Sequence, residues 1–159
     1  MTRFLVDVML KKAGRWLRML GYYVENPLSE DDDEILKQAQ EHELVLLTMD
    51  EELYARAQRR GLRTLLITAS YNPRQVAQIM EAFNLTLDNF PSRTHCSNCN
   101  GKLKEVAKSE VKGKIPERSF KNHERFWLCT SCGQVFWEGS HWNRIEMEVE
   151  KIRKELKEE

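Results

Sequence analysis

The stretch "LLTMDEEL" at residues 46–53 joins a strand pattern to a run of acids. Its first three residues are apolar or β-branched and favour a buried strand. Asp50 and the two glutamates after it favour the start of a helix. The chain opens in the same way, because the apolar segment "FLV" at residues 4–6 is followed directly by Asp7. We therefore predict two buried strands that each end at a carboxylate.

Apolar runs alternate with helical periodicity along the first half of the chain. The patterns predict strands at residues 4–7, 22–24, 44–48 and 63–68, and helices at residues 8–20, 29–43, 51–61 and 72–83. Near-continuous apolar strands that alternate with amphipathic helices are typical of a mostly parallel sheet with helices on both faces. We predict an α/β fold of this kind for residues 1–90.

The four cysteines form two C-x-x-C pairs, "CSNC" and "CTSC", in the second half of the chain: Cys96, Cys99, Cys129 and Cys132. Four thiolates at this spacing predict a closed, tetrahedral and structural zinc site. Disulfides and an iron–sulfur centre are the alternatives. The segments "ERFWLC" and "QVFWEG" around the second pair favour two paired strands. We therefore predict a small zinc ribbon at residues 94–142, followed by a charged C-terminal helix at residues 143–159.

The acids at the strand ends predict a second kind of metal site. In open parallel sheets, ligands bind outside the carboxyl ends of the strands. If the first and third strands are neighbours, Asp7 and Asp50 share that edge with the acidic helix start at residues 31–33. Crowded carboxylates repel one another unless a cation lies among them, and Mg²⁺ or Mn²⁺ prefers oxygen ligands. Such ions promote phosphodiester hydrolysis. The alternative is that each acid only caps the helix that follows it.

Basic residues suggest where phosphates would bind. The net charge of the whole chain is zero, but residues 102–125 hold eight basic and four acidic side chains. This basic segment, beside aromatic residues, suits contact with phosphates and unpaired bases. The first predicted helix adds candidate phosphate contacts at Lys11, Lys12, Arg15 and Arg18. A solvated surface is the alternative interpretation of both groups of cations.

The N-terminal sequence indicates neither a signal peptide nor a membrane span. Its apolar run is too short to cross a bilayer, and acids follow soon after it. We expect a cytoplasmic protein with no membrane partner.

Three segments together resemble the mutator-seven C-terminal RNase family: "FLVDVMLKKAGRWLRMLGYYV", "DDDEILKQAQEHELVLLTMDEEL", and the paired C-x-x-C motifs ending in "FWEGSHW". Members look like a PIN-type nuclease domain followed by a zinc ribbon. The resemblance implies a Mg²⁺- or Mn²⁺-dependent ribonuclease site at Asp7, Asp32 and Asp50, with Asp33 as the alternate to Asp32.

The chain departs from the family pattern at two points. A fourth acid, present in many PIN domains, has no clear counterpart, although Glu51 or Glu52 can serve. Met49 stands where members often have a basic residue.

These observations lead to two hypotheses about function. The first is a metal-dependent endoribonuclease, with a structural zinc ribbon that assists RNA binding. The alternative is a non-catalytic RNA- or ribosome-binding adaptor with a degenerate PIN-like domain. Because PIN-type domains frequently pair, a homodimer is a further expectation, and nothing in the sequence fixes its interface.

Overall fold

The computed structural model describes residues 2–88, 90, 95–137 and 142–157. A four-stranded parallel sheet forms its centre, with strands β1 (Arg3–Val6), β2 (Tyr23–Glu25), β3 (Val45–Thr48) and β4 (Thr64–Leu66). The strands are ordered β2-β1-β3-β4, and each neighbouring pair is parallel. The predicted parallel sheet is confirmed, and β1 lies beside β3, as a shared acidic edge requires.

Helices cover both faces of this sheet, as predicted. They are α1 (Lys11–Met19), which follows a short 3-10 turn at Val8–Leu10, then α2 (Asp32–Glu41), α3 (Glu51–Arg59) and α4 (Asn72–Ala82). Side chains alternate between the faces of β1: Phe4 and Val6 pack with α1 and α4, while Leu5 packs with α2 and α3. The central strands β1 and β3 are therefore buried on both sides, which explains their continuous apolar runs in the sequence.

A glycine in the middle of α1 lets this helix lie close against the sheet. A Cβ atom at Gly14 would come within 3.1 Å of a Val6 methyl and 3.2 Å of a Val24 methyl. Both distances are tighter than ordinary contacts, so the glycine offsets its cost to helix stability through close packing. The approach places the start of α1 directly beside the end of β1.

The C-terminal helix α6 (Trp142–Lys157) belongs to the same hydrophobic core. Its Val149 and Ile152 are buried, and they pack in one cluster with Val76 and Ile79 of α4. The Arg74 guanidinium of α4 also donates to the Glu155 carbonyl at 3.0 Å. The apolar stripe of this helix within residues 145–156 is thus covered by the α/β unit.

Between α4 and α6 the chain forms a small antiparallel sheet. Its strands are β5 (Leu103–Val106), β6 (Phe126–Cys129) and β7 (Val135–Trp137), in that order. The predicted pairing of the two aromatic segments is confirmed, since Trp127 lies opposite Phe136. The segment between β5 and β6 also contains a 3-10 turn and a short helix α5 (Glu117–Asn122), which the sequence pattern did not predict.

Most of the "GSHW" segment, including His141, lies outside the described residues. Within the part that is described, no helix has both the length and the apolar composition needed to cross a bilayer.

Candidate metal sites and the acidic edge

The three predicted metal ligands follow the carboxyl ends of the sheet strands. Asp7 comes directly after β1, Asp50 comes two residues after β3, and Asp32 begins α2 after the β2–α2 loop. Because all four strands are parallel, these positions share one edge of the sheet. We call this the acidic edge.

A buried threonine links two of the acids. The Thr48 hydroxyl donates a hydrogen bond to Asp7 Oδ2, and it accepts one from the Asp50 backbone N–H at 3.0 Å. Thr48 is fully buried and Asp7 is only 6% exposed. The Asp7 carboxylate is therefore held in one orientation at the edge. Sequence analysis missed this role, because a β-branched residue at a strand end reads simply as part of the strand.

Asp50 caps the helix that follows it. Its Oδ1 accepts hydrogen bonds from the backbone N–H groups of Glu52 and Leu53, at 2.8 and 3.1 Å. The capping interpretation is therefore confirmed for this residue. Among the described residues, Asp50 Oδ2 accepts no hydrogen bond, so one oxygen of the same carboxylate stays available to a cation.

The acidic start of α2 divides into three different environments. Asp31 is the N-cap, and its Oδ1 accepts from the N–H of Asp33 at 2.8 Å. Asp33 forms ion pairs with Arg56 and Arg60 of the neighbouring helix end. Asp32, which lies between Asp31 and Asp33 in the sequence, is 3.7 Å from the Arg56 guanidinium. The charge of Asp33 is thus largely compensated, whereas that of Asp32 is compensated less closely.

The carboxyl group of Asp32 is crowded by other acids. Partial burial raises its pKa, the negative charge of Asp50 raises it further, and Arg56 opposes both effects. Glu52 adds a smaller contribution in the same direction as Asp50. A proton or a cation at Asp32 relieves this repulsion. Of the two candidates for a fourth acid, Glu52 is the one whose charge acts on Asp32.

The acids share an edge without forming a closed set of ligands. In the part of the chain that the structure describes, the four cysteines are the only group of three or more metal-ligating side chains close enough to share one ion. Met49, beside Asp50, does not provide a phosphate contact. It packs on the core, and its sulfur contacts the Gln75 amide at 3.6 Å.

The predicted phosphate contacts on α1 separate into exposed and buried residues. Lys11, Lys12 and Arg15 are exposed, and the two lysines lie in the first turn, nearest to Asp7. Arg18 is only 3% exposed, and its guanidinium donates to Val24 O, Ser97 O and Asn26 Oδ1 at 2.8–3.0 Å. Since its donors are occupied by the protein, the predicted phosphate contact at Arg18 is replaced by a structural role.

The four cysteine thiols form a compact group. Their sulfur atoms all lie within 4.8 Å of one another, with 3.7 Å between Cys96 and Cys132 and 3.5 Å between Cys99 and Cys129. Zn–S bonds of about 2.3 Å in a tetrahedron place sulfurs about 3.8 Å apart. The geometry fits a zinc ion with four protein ligands and no open position.

The backbone around the second cysteine pair favours a thiolate. Burial opposes the ionisation of Cys129, but the N–H groups of Cys132 and Ser131 more than offset it and lower its pKa to about 7. Burial raises the pKa of Cys96 to about 12. A divalent cation is what allows all four groups to ionise together.

Gly101 keeps the space beside a thiol open, because a Cβ atom there would lie 2.6 Å from Cys129 Sγ.

The ribbon carries an unpaired basic surface. Ion pairs join Lys108 to Glu124, Lys121 to Glu117 and Arg125 to Glu105, so they compensate three of the four acids in residues 102–125. Five exposed cations form no ion pair within the described residues: Lys102, Lys104, Lys112, Lys114 and Arg118. We call these five residues the ribbon basic surface.

The cysteine loop docks directly onto the sheet. The Asn100 side chain accepts from the Val24 N–H at 2.9 Å and donates to the Val24 carbonyl, so it pairs with edge strand β2 as a further strand would. The His95 N–H donates to the Arg18 carbonyl at 2.8 Å, and Arg18 donates back to Ser97 O. The four-cysteine site and the acidic edge therefore belong to one connected structure.

Comparison with known proteins agrees with this architecture. The family model described as the Mut7-C RNAse domain matches residues 2–149, which spans the sheet, the ribbon and the first half of α6. No curated protein and no solved structure matches the chain significantly. The match covers nearly the whole chain, so the protein belongs to the Mut7-C RNAse domain family.

Proposed function

We propose that the protein is a metal-dependent endoribonuclease that holds Mg²⁺ or Mn²⁺ at Asp7, Asp32 and Asp50. The observation that carries the proposal is the buried Thr48 hydroxyl, which orients the Asp7 carboxylate and accepts the Asp50 backbone N–H at the ends of adjacent parallel strands. A metal site needs oriented ligands, and this hydroxyl holds a buried carboxylate in one orientation. Membership of a ribonuclease family favours RNA as the substrate.

Each residue of the acidic edge has a distinct part in this proposal. A hard divalent cation would activate water and stabilise the charge that develops on the phosphate. Asp7 offers a fixed carboxylate, Asp50 offers its free Oδ2, and Asp32 completes the set. Asp32 is favoured over its alternate, Asp33, because Arg56 and Arg60 already compensate Asp33.

Cations at two places would hold the RNA backbone. Lys11, Lys12 and Arg15 are exposed on the helix that starts beside Asp7, where they can contact the phosphates next to the reacting one. The ribbon basic surface would extend the contact along the RNA and make affinity fall as salt rises. A cytoplasmic location and a homodimer stay predictions.

Metal dependence of cleavage tests the proposal. We expect a homogeneous labelled RNA to be cut by the zinc-loaded protein in Mg²⁺ or Mn²⁺ and to stay intact when neither ion is added. Salt-sensitive RNA binding without products in either metal would instead support the adaptor alternative, and would overturn the nuclease assignment. Cleavage that continues when neither ion is added would contradict the role of the carboxylates.

Replacing Thr48 by Val tests the link between the acids. Valine keeps the shape and removes the hydroxyl that orients Asp7. We expect about a 10–100-fold loss of cleavage and weaker Mn²⁺ binding, since groups that orient metal ligands have effects of that size. Thr48→Ser should restore most of both.

Thr64→Val is the matched control for this change. Thr64 also lies in a strand, but its hydroxyl donates to the Leu46 carbonyl at 2.9 Å and touches no acid. Its replacement should leave Mn²⁺ affinity unchanged. Equal Mn²⁺ affinity in Thr48→Val and the parent would show that the hydroxyl serves only the fold.

A further inference from the structure

Large apolar side chains are exposed around the acidic edge. Five large hydrophobic residues are clearly exposed in the described part of the chain, and four of them lie in loops at the carboxyl ends of strands. These are Val8 and Met9 after β1, Leu28 after β2 and Tyr71 after β4. Single exposed apolar residues are ordinary, but their concentration on the edge that carries the acids points to a ligand.

The strand order places these residues on both sides of the carboxylates. Across the edge, the loops follow the order β2-β1-β3-β4. Leu28 therefore comes first, Met9 and Asp7 follow, then Asp50, and Tyr71 lies at the far end. With neighbouring strands about 4.8 Å apart, the row spans roughly 14 Å. Its exposed fractions are high: 82% for Leu28, 68% for Met9 and 51% for Tyr71.

Cations lie near the exposed apolar residues, both beside Met9 and near Tyr71. Lys11 and Lys12 are exposed directly after Met9 in the sequence. On α6, the Lys151 ammonium has a raised pKa, mainly because of its hydrogen bond to Glu148, and Tyr71 is near enough to add to the effect. Apolar contacts are thus interleaved with positive charge, as strand-binding surfaces for nucleic acids require.

The chemistry of the row selects one class of ligand. Unpaired nucleotides offer apolar ring faces and a phosphate at every step, so they match both kinds of side chain. A duplex keeps its ring faces stacked inside and would leave Tyr71, Leu28 and Met9 without partners. An apolar segment of another protein would cover these residues, but it would not interact favourably with the acids between them.

We propose that Tyr71, Leu28 and Met9 bind the bases of single-stranded RNA on both sides of the acidic edge. Tyr71 stacks on one base, while Leu28 and Met9 contact bases on the other side of the reacting phosphate. These contacts make the site selective for unpaired nucleotides. The inference rests on the proposed ribonuclease function, because it assigns the substrate contacts of the same site.

Binding measured without cleavage tests the inference. We would use the Asp7→Asn protein with its zinc retained and with no added Mg²⁺ or Mn²⁺, and a short single-stranded RNA containing 2-aminopurine, whose fluorescence reports stacking. Tyr71→Ala should weaken single-strand binding about five- to a hundredfold and remove the quenching, as expected for loss of one stacked base. Tyr71→Phe, which keeps the ring, should bind as the parent does. Binding to a blunt RNA duplex should not change in either variant.

Two exposed methionines give a matched control. Met9→Ala should weaken single-strand binding, whereas Met147→Ala should not, because Met147 is 63% exposed on α6 and outside the loops of the acidic edge. Unchanged single-strand affinity in Tyr71→Ala and Met9→Ala would overturn the inference. The inference would also be overturned if these variants lost duplex binding to the same extent. It would be overturned as well if the parent were a dimer that these substitutions dissociate without loss of RNA affinity.

Failure of the nuclease proposal would look different. In that case the parent would show ring-dependent, single-strand-selective binding without cleavage in any metal. The binding assay uses an Asp7 variant and contains no added Mg²⁺ or Mn²⁺, so its outcome does not depend on catalysis.

Discussion

Asp7→Asn is expected to remove metal-dependent cleavage while the protein stays folded. Asn keeps the size of the side chain and can still form hydrogen bonds with Thr48 and with the Met9 N–H, which lies 3.1 Å from Asp7 Oδ1. Only the charge is lost, at a site that is 94% shielded from solvent. Changes in the groups around a bound metal reduce activity about 10–100-fold. Loss of a direct ligand should exceed that, so we expect at least a hundredfold decrease in kcat/KM.

The measurement is cleavage of a homogeneous RNA by parent and variant prepared identically. Asp88→Asn is the control, because it removes an exposed carboxylate that follows α4, outside the acidic edge. The circular dichroism spectrum and Tm should agree among all three proteins to within a few degrees. Equal rates for Asp7→Asn and the parent would refute the catalytic assignment of the acidic edge.

The same assay distinguishes Asp32 from Asp33. Asp32→Asn should lose activity, because its carboxylate is crowded by Asp50 and has the weaker cation contact. Asp33→Asn should retain most of it, because its ion pairs with Arg56 and Arg60 give it a structural explanation. The reverse result would transfer the third metal ligand to Asp33.

The sheet and its acidic edge could be predicted because the signals are local. A strand buried on both faces reads as a continuous apolar run, and each helix between strands shows its own periodicity. Once the strands are parallel, every strand end falls on one edge. Asp7 and Asp50 therefore follow the ends of neighbouring strands, and the four cysteines needed only their spacing.

What escaped prediction depends on contacts between residues far apart in the sequence. In the sequence, Arg18 resembles the exposed cations of α1. It is buried in the structure because Ser97 and Asn26 supply acceptors for it. Asn100 reads as a turn residue, and its pairing with Val24 requires the folded ribbon. Thr48 acts at a site formed by two strands. In each case the partner, rather than the residue, determines the role.

The docking of the ribbon makes zinc relevant to the α/β unit as well as to the ribbon itself. Val24 is buried in edge strand β2; its N–H donates to the Asn100 amide, and its carbonyl accepts from both Asn100 and Arg18. Asn100 lies directly after Cys99, in left-handed conformation with φ of 73°. Because buried groups left without partners cost about 1–3 kcal/mol each, loss of the metal should destabilise the sheet through this loop.

Removal of zinc is therefore expected to open the edge of the sheet at β2. Zinc contributes on the order of 10 kcal/mol to small domains of this kind, so chelation under reducing conditions should unfold the ribbon. The freed Arg18 and Val24 groups should then lower the unfolding free energy of the α/β unit by about 2–3 kcal/mol, or roughly 10–20 °C in Tm. Hydrogen exchange at the Val24 amide measures the effect directly and should accelerate at least tenfold. Cys99→Ser should reproduce it, whereas Thr130→Ser, beside Cys129 but not a ligand, should not. If Val24 stays equally protected after the metal is removed and the ribbon has unfolded, the two units are energetically independent, despite the hydrogen bonds that join them.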